Sequence, residues 1–256
     1  MASQTDHARP GRGEFDDVAD YYDLLMRTVP YNRWVDYIES ILRRWEAHPT
    51  FVLDLACGTG KVGSEMADRG FIVRGADLSE PMVRHCMTQQ PPLPAIVSDA
   101  SNLALRSETF DLIVSLYDSL NYILDPHALA SCFREAWRVL KPGGLFIFDL
   151  NTERALATGL FTQDNMYTSE QLQYSWEAHW DRSTRICRVD MLYFYNGVEN
   201  GPRQFRETHY QRAYEHEAVL AMLKIAGFVR LEAYSAYSFR VVTPRSDRAY
   251  YVARKE

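Results

Sequence analysis

An aspartate, Asp54, interrupts the apolar run from Phe51 to Leu55, and a turn containing Gly58, Gly60 and Gly63 follows at once. Burying a carboxylate costs several kcal/mol unless it is paired or bonded, so an acid inside such a run implies a partner. The glycines let the backbone approach a ligand closely, and a helix starting behind them offers unpaired N–H groups. Gly58-Thr59-Gly60-Lys61-Val62-Gly63 is a literal G-x-G-x-x-G, with Asp77 about 20 residues on, where a ribose-binding acid belongs. A nicotinamide dinucleotide therefore stays open as a ligand. Against it, Asp54-Leu55-Ala56-Cys57 intervenes before the glycines, and Asp54 would repel a pyrophosphate. A P-loop fails outright, because Val62 stands where Ser or Thr is required and Leu55 where the first glycine belongs.

The elements that must hold these residues are legible as alternating strands and helices. Phe51–Leu55, Phe71–Ala76, Ala95–Ser98, Phe110–Leu116 and Leu145–Leu150 read as strands. Between them lie helical patterns, one capped by Ser79 with Pro81 in its first turn and one opened by Asp125-Pro126 and stopped by Lys141-Pro-Gly-Gly. Ahead of the first strand, Val18, Tyr21, Tyr22 and Leu25 recur at helical spacing. Asn32 then reads as an N-cap for a second helix carrying Trp34, Ile38, Ile41 and Trp45. This alternation predicts a parallel α/β sheet whose ligands sit at the carboxyl ends of the strands, where Asp54, Asp77, Asp99 and Tyr117-Asp118 all fall.

Asp54-Leu-Ala-Cys-Gly-Thr-Gly resembles motif I of the class I S-adenosylmethionine (SAM) dependent methyltransferases, D/E-x-G-x-G-x-G, with Ala56 in place of the first glycine. The resemblance extends from Phe51 to Leu150 and implies a Rossmann-like, seven-stranded, mostly parallel sheet flanked by helices. It implies SAM as cofactor, cradled by Asp54, Ala56, Cys57, Gly58 and Gly60. Asp77 would hold the ribose hydroxyls, Asp99 with Ala100 the adenine edge, Leu78 and Met82 the adenine faces, and Leu116 the end of the fourth strand. Tyr22-Asp23-Leu-Leu-Met, the Tyr31 and Trp34 pair and Asp118-Ser-Leu-Asn-Tyr are similar to small-molecule, aminosugar-type N-methyltransferases. Asp118 is then the candidate base, and Tyr22, Tyr31, Asn121, Trp176 and Tyr210 the candidate acceptor contacts. His209 and His216 could serve as bases, but the expectation for each is a histidine at the surface or at a helix start. Where DNA amino-methyltransferases carry D/N-P-P-Y/F, this chain has Ser115-Leu-Tyr-Asp.

Residues 151–213 exceed what one return helix needs. Leu172, Tyr174, Trp176, Ala178 and Trp180 alternate with polar residues, as do Cys187, Val189, Met191, Tyr193 and Tyr195. Asn196-Gly197 and Asn200-Gly201-Pro202 supply turn chemistry, and Phe205–Arg212 a third strand. A small antiparallel β lid inserted into a SAM-binding domain of residues 15–150 and 214–256, behind a mobile tail of residues 1–14, is the expected organisation. A dimer interface is the other use for such an aromatic face. In the return to the main sheet, Glu215–Ala226 reads as helix, Phe228–Tyr234 and Ala249–Ala253 as the last strands. The 256 residues are 46% hydrophobic and 24% charged with a net charge of −6, which disfavours a nucleic-acid partner. No apolar run reaches a membrane span. Four cysteines without metal spacing suit a cytoplasmic protein, monomeric or homodimeric. An NAD(P)-dependent oxidoreductase and a non-catalytic SAM-fold interaction module are the competing function classes.

Overall fold

The computed structural model describes residues 13–166, 171–197 and 201–256. The expected tail therefore lies outside the described residues up to 12, as does Asn200 of the expected turn. Gly13 and Glu14 are ordered parts of a cavity wall.

Seven strands form the main sheet in the order β10-β11-β5-β4-β1-β2-β3. They are β1 (Phe51–Leu55), β2 (Ile72–Asp77), β3 (Ala95–Val97), β4 (Phe110–Ser115), β5 (Leu140–Asn151), β10 (Arg230–Ser235) and β11 (Arg248–Arg254). β1 to β5 pair in parallel, whereas β11 is antiparallel to β5 and to β10. Helices α2 (Tyr31–Arg44), α3 (Lys61–Asp68) and α4 (Glu80–Thr88) cover one face, with Ile38, Ile41, Met66 and Cys86 in its core. On the other face lie α5 (Pro126–Val139) and α7 (His216–Ala226), carrying Leu129, Phe133, Val219 and Leu223. The strand order reverses between β1 and β4, which opens a crevice at their carboxyl ends.

Two local expectations are corrected. α2 is entered at Pro30, which makes no side-chain cap, so Asn32 is a residue of the first turn rather than the N-cap. Lys141-Pro-Gly-Gly does not stop α5, which has already ended at Val139. It forms a bulge within β5, where Phe110 pairs with Leu140 but Leu112 with Leu145, and Gly143 takes a positive φ. Asp125 and Ser79 do cap their helices, accepting from the His127 and Met82 N–H groups.

The chain between β5 and α7 builds a second, four-stranded antiparallel sheet in the order β6-β7-β8-β9. Besides the short β6 (Gln163–Asp164), its strands are β7 (Leu172–Asp181), β8 (Ile186–Tyr195) and β9 (Arg203–Arg212), preceded by helix α6 (Glu153–Ala157). Its apolar face is covered within the chain itself. Val189, Met191 and Tyr193 pack with Val18, Ala19 and Tyr21 of the segment that enters α1 (Ala19–Leu25), and with Met82 of α4. No described helix is long and apolar enough to cross a membrane.

Candidate functional site

Asp54 lies in the middle of the sheet, 2% exposed, and one of its oxygens accepts the Gly63 N–H at 2.8 Å. The acid thus holds the first turn of α3. Burial dominates its electrostatics and pushes its carboxyl up to about 7, with the Gly63 bond opposing and Asp77 adding to the rise. The turn between β1 and α3 alternates hands: Ala56, Gly58 and Gly60 have φ of 58°, 53° and 82°. Ala56 adopts its left-handed conformation at a cost glycine would avoid, about 1 kcal/mol. A side chain at Gly58 would meet nothing within 4 Å, so its Cα faces open space. Gly60 faces the other way: a Cβ there would stand 2.6 Å from the Cys86 sulfur. It belongs to the packing of α3 on α4 and not to the cavity wall, a correction to its expected place in the cradle.

Asp77 closes the turn from β2. Its two oxygens accept the Gly58 N–H at 2.8 Å and the Ser79 N–H at 2.9 Å, while burial raises its pKa. Asp99, exposed at the end of β3, accepts from the Ser101 N–H and hydroxyl through one oxygen. Thr59 and Lys61, which mimic a phosphate loop in sequence, instead bind Asp23 of α1: Thr59 donates at 2.7 Å and the Lys61 ammonium pairs at 2.6 Å. They fasten α1 over the glycine turn.

After β4 the chain makes a corner in which Tyr117 and Asp118 both take positive φ, 67° and 53°. Asp149, fully buried in β5, accepts both of their N–H groups, at 2.7 and 3.1 Å. Arg248 of β11 bridges Asp149 and Asp118 and lies over the Tyr117 ring. Asp118 gives its second oxygen to the Gln211 amide at 2.7 Å. Burial raises its pKa and Arg248 opposes that rise. Neither Asp149 nor Arg248 carries a sequence signal, since one is an acid in an apolar strand and the other a lone cation near the end of the chain.

These walls enclose one cavity of about 630 Å³, running from Asp54 and Asp77 to Trp176, Met191 and Tyr193 of the second sheet. That is the range of small-molecule sites. Tyr22, Tyr31, Asp54, Ala56, Cys57, Gly58, Asp77, Leu78, Met82, Asp99, Ala100, Leu116, Asp118 and Trp176 all line it. Asn121 and Tyr210 do not. The Asn121 amide is spent on backbone, donating to the carbonyls of Asn151 and Arg212 and accepting the Asn151 N–H, so it clamps the second sheet to β5. Tyr210 points to the opposite face of β9, 39% exposed. Its neighbour His209, expected at the surface, is 2% exposed and lines the cavity with Tyr122. His216 does stand at the start of α7.

The lining carries carboxylates on several sides and, among the described residues, a single lysine and no arginine. Such a site suits a cationic nucleoside and resists a pyrophosphate, and the open face of Gly58 leaves room for a ligand against the turn. SAM, a nucleoside bearing an ammonium and a sulfonium, fits that donor set. Fold and cavity together define a SAM-dependent methyltransferase. Comparison with known proteins agrees: the family model described as "Methyltransferase domain" matches residues 52–144. YqeM of Bacillus subtilis strain 168, named as a methyltransferase, is 31% identical over 93% of this chain and 95% of its own. A solved S-adenosylmethionine-dependent methyltransferase of Clostridium acetobutylicum ATCC 824 is 30% identical with a TM-score of 0.81, covering 94% of this chain and 98% of that one. The sugar N-methyltransferase KedS8 of Streptoalloteichus shares the fold at 22% identity, TM-score 0.79, over 100% and 99% of the two chains. The chain belongs to the SAM-dependent methyltransferase family, and SAM is its cofactor.

Proposed function

We propose that the protein transfers the SAM methyl group to a nitrogen or oxygen nucleophile of a small-molecule acceptor, held in the inner half of the cavity. The observation that carries this reading is the continuity of that cavity with the second sheet: Trp176, Met191 and Tyr193 form its far wall, and residues 13–16 with Val18 its edge. The second sheet is in this reading a lid. An enclosed site admits a metabolite and excludes a folded protein or a duplex.

In this assignment Asp77 takes the ribose hydroxyls, since its two oxygens keep acceptor capacity beyond their bonds to the Gly58 and Ser79 N–H groups. Asp54 faces the amino-acid end, Asp99 and Ala100 the adenine edge, and Leu78 and Met82 the base. Bound SAM supplies an already electrophilic methyl, so the chain's task is to orient the acceptor and keep water out. Tyr22, Tyr31 and Trp176 provide that acceptor wall, joined by Trp34, whose ring stacks on Tyr117 at 5.1 Å between centroids. In this reading Asp118, bonded to Arg248 and Gln211, shapes the corner rather than serving as the base. The four cysteines are buried thiols, in keeping with the cytoplasm.

The likeness of fold to KedS8 and to CalS10, an amino pentose methyltransferase, makes amino sugars the first acceptors to try. The test is transfer of label from [methyl-14C]SAM into separated metabolite, protein and nucleic-acid fractions, with calorimetric titration of S-adenosylhomocysteine and NADH alongside. Label in the metabolite fraction and binding of S-adenosylhomocysteine alone are expected. Label confined to protein or nucleic acid would overturn the acceptor class.

A further inference from the structure

Behind the acceptor end of the cavity, three polar side chains stand in line. The Tyr122 hydroxyl lies 3.2 Å from His209 Nδ1, and His209 Nε2 lies 2.8 Å from Glu207 Oε2. His209 is 2% exposed, and the side chain of Glu207 is 6% exposed. An ionised carboxylate only accepts, so Nε2 carries a hydrogen, and in the neutral ring Nδ1 is left to accept from the Tyr122 hydroxyl. Tyr122 and His209 both line the cavity that holds Asp54 and Asp77, and Glu207 stands behind them.

The surroundings hold the line in place. Phe15 packs on the His209 ring at 4.4 Å and on Tyr122 at 5.1 Å between centroids. Its φ of 70° is a strained value for a bulky residue, of the kind that collects at functional sites. Glu207 secures the backbone of that same segment, its Oε1 accepting the Asp17 and Val18 N–H groups at 2.8 and 2.9 Å. One carboxylate therefore holds both the imidazole and the strap that covers it. The other ionisable groups facing the line are Glu14, Tyr22, Asp118 and Tyr193.

We propose that Tyr122 and His209 are the proton acceptors of the methyl transfer and that Glu207 is their positioning residue. This rests on the methyl-transfer reading above. As the acceptor's nitrogen or oxygen lone pair forms its bond to the methyl carbon, the methyl–sulfur bond breaks with its electron pair passing to sulfur, which becomes a neutral thioether. The acceptor's proton passes to the Tyr122 oxygen as the Tyr122 proton passes to His209 Nδ1. The resulting imidazolium is balanced by Glu207 and later releases its proton to water. The acceptor class is then one that must lose a proton, a primary or secondary amine or a hydroxyl, and not a tertiary amine or a thioether.

Two measurements test this. The first is 15N NMR of the histidines in the full-length protein with bound S-adenosylhomocysteine. His209 should carry a single ring hydrogen, on Nε2, with Nδ1 bare. In Glu207→Gln the carboxamide oxygen can still hold Asp17 and Val18 while its NH2 faces the imidazole, so the hydrogen should move to Nδ1, which then donates to the Tyr122 oxygen and can no longer take its proton. The second is methyl transfer to glucosamine as probe acceptor. His209→Gln and Tyr122→Phe should lower kcat by about 100-fold or more, the scale of general-base catalysis. Glu207→Gln should lower kcat with the KM for SAM unchanged, and S-adenosylhomocysteine affinity should stay within about threefold in all three. Wild-type protein that binds S-adenosylhomocysteine but labels no acceptor in the fractionation would sink the methyl-transfer reading. Full activity in His209→Gln sinks only the relay. The NMR readout stands even if glucosamine is not a substrate: a His209 that is already an imidazolium, or that carries its hydrogen on Nδ1, overturns the relay by itself.

Discussion

Asp77→Asn separates two roles that one carboxylate is asked to play. In the structure its oxygens hold the Gly58 and Ser79 N–H groups, so it anchors both the glycine turn and the entry to α4. The asparagine carbonyl can keep one of these bonds, but its NH2 must face the other N–H. One charge-assisted bond is lost outright, about 1.5–3 kcal/mol, and the surviving one is weakened. Folding stability should fall by about that amount. The same substitution deprives one ribose hydroxyl of an acceptor. That adds about 1.5–3 kcal/mol to binding, a loss of roughly 10- to 150-fold in affinity. Urea unfolding reads the first quantity and calorimetric titration with S-adenosylhomocysteine the second. A variant that is destabilised as expected yet binds within twofold of wild type would make Asp77 a turn anchor only and remove the ribose assignment.

Asp54 should make both stability and binding depend on pH. Its folded-state value of about 7 lies above the ordinary aspartate value near 4, so the native state holds the extra proton between those limits. Its contribution to stability should therefore decline as pH rises through that window and level off above about 7. An ammonium facing Asp54 favours the ionised form, so S-adenosylhomocysteine should bind more tightly at pH 8 than at pH 6. It should release a proton near pH 6.5, seen as a dependence of the calorimetric enthalpy on the buffer. Binding without proton release, or an unchanged profile in Asp54→Asn, would refute the placement. Arg248→Met should leave Asp118 and Asp149 buried without their cation and cost about 3–5 kcal/mol in urea unfolding at pH 8. The loss should be smaller at pH 5, where Asp118, whose pKa burial raises, can take up a proton, and a loss below 1 kcal/mol at both values would show that the corner does not depend on this network.

The sheet was legible because its strands are short apolar runs and its helices carry one-sided stripes, both written locally. The aromatic alternation of β7 and β8 was equally plain, since Leu172, Val189 and Tyr193 bury the face that the pattern assigns to them. Local signals failed where the deciding contact comes from far along the chain. Lys141-Pro-Gly-Gly looks like a helix stop until β4 is laid beside it and the residues loop out as a bulge. Asp149 and Arg248 are 99 residues apart, and neither spacing nor composition joins them.

β9 shows the sharpest failure, and its cause is the period of two in a strand. Glu207, His209 and Gln211 face inward, whereas Arg206, Thr208 and Tyr210 face out. The two apolar residues of the strand, Phe205 and Tyr210, have opposite parity, and choosing Tyr210 over His209 as an inward residue follows the wrong one, since Phe205 packs inward on the side of His209. The signal that could have corrected it is the run of hydrogen-bonding residues at alternate positions beside two strands with aromatic inward faces. A polar stripe inside an apolar sheet costs several kcal/mol unless it is bonded. Here each member is bonded: Glu207 to the strap at residues 17 and 18, His209 to Tyr122, and Gln211 to Asp118 and Asn151. Those partners come from the N-terminal segment, from the turn after β4 and from the end of β5. The inward polar face of β9 is therefore where the second sheet, the strap and the main sheet are joined, and the acceptor end of the cavity is built at that joint.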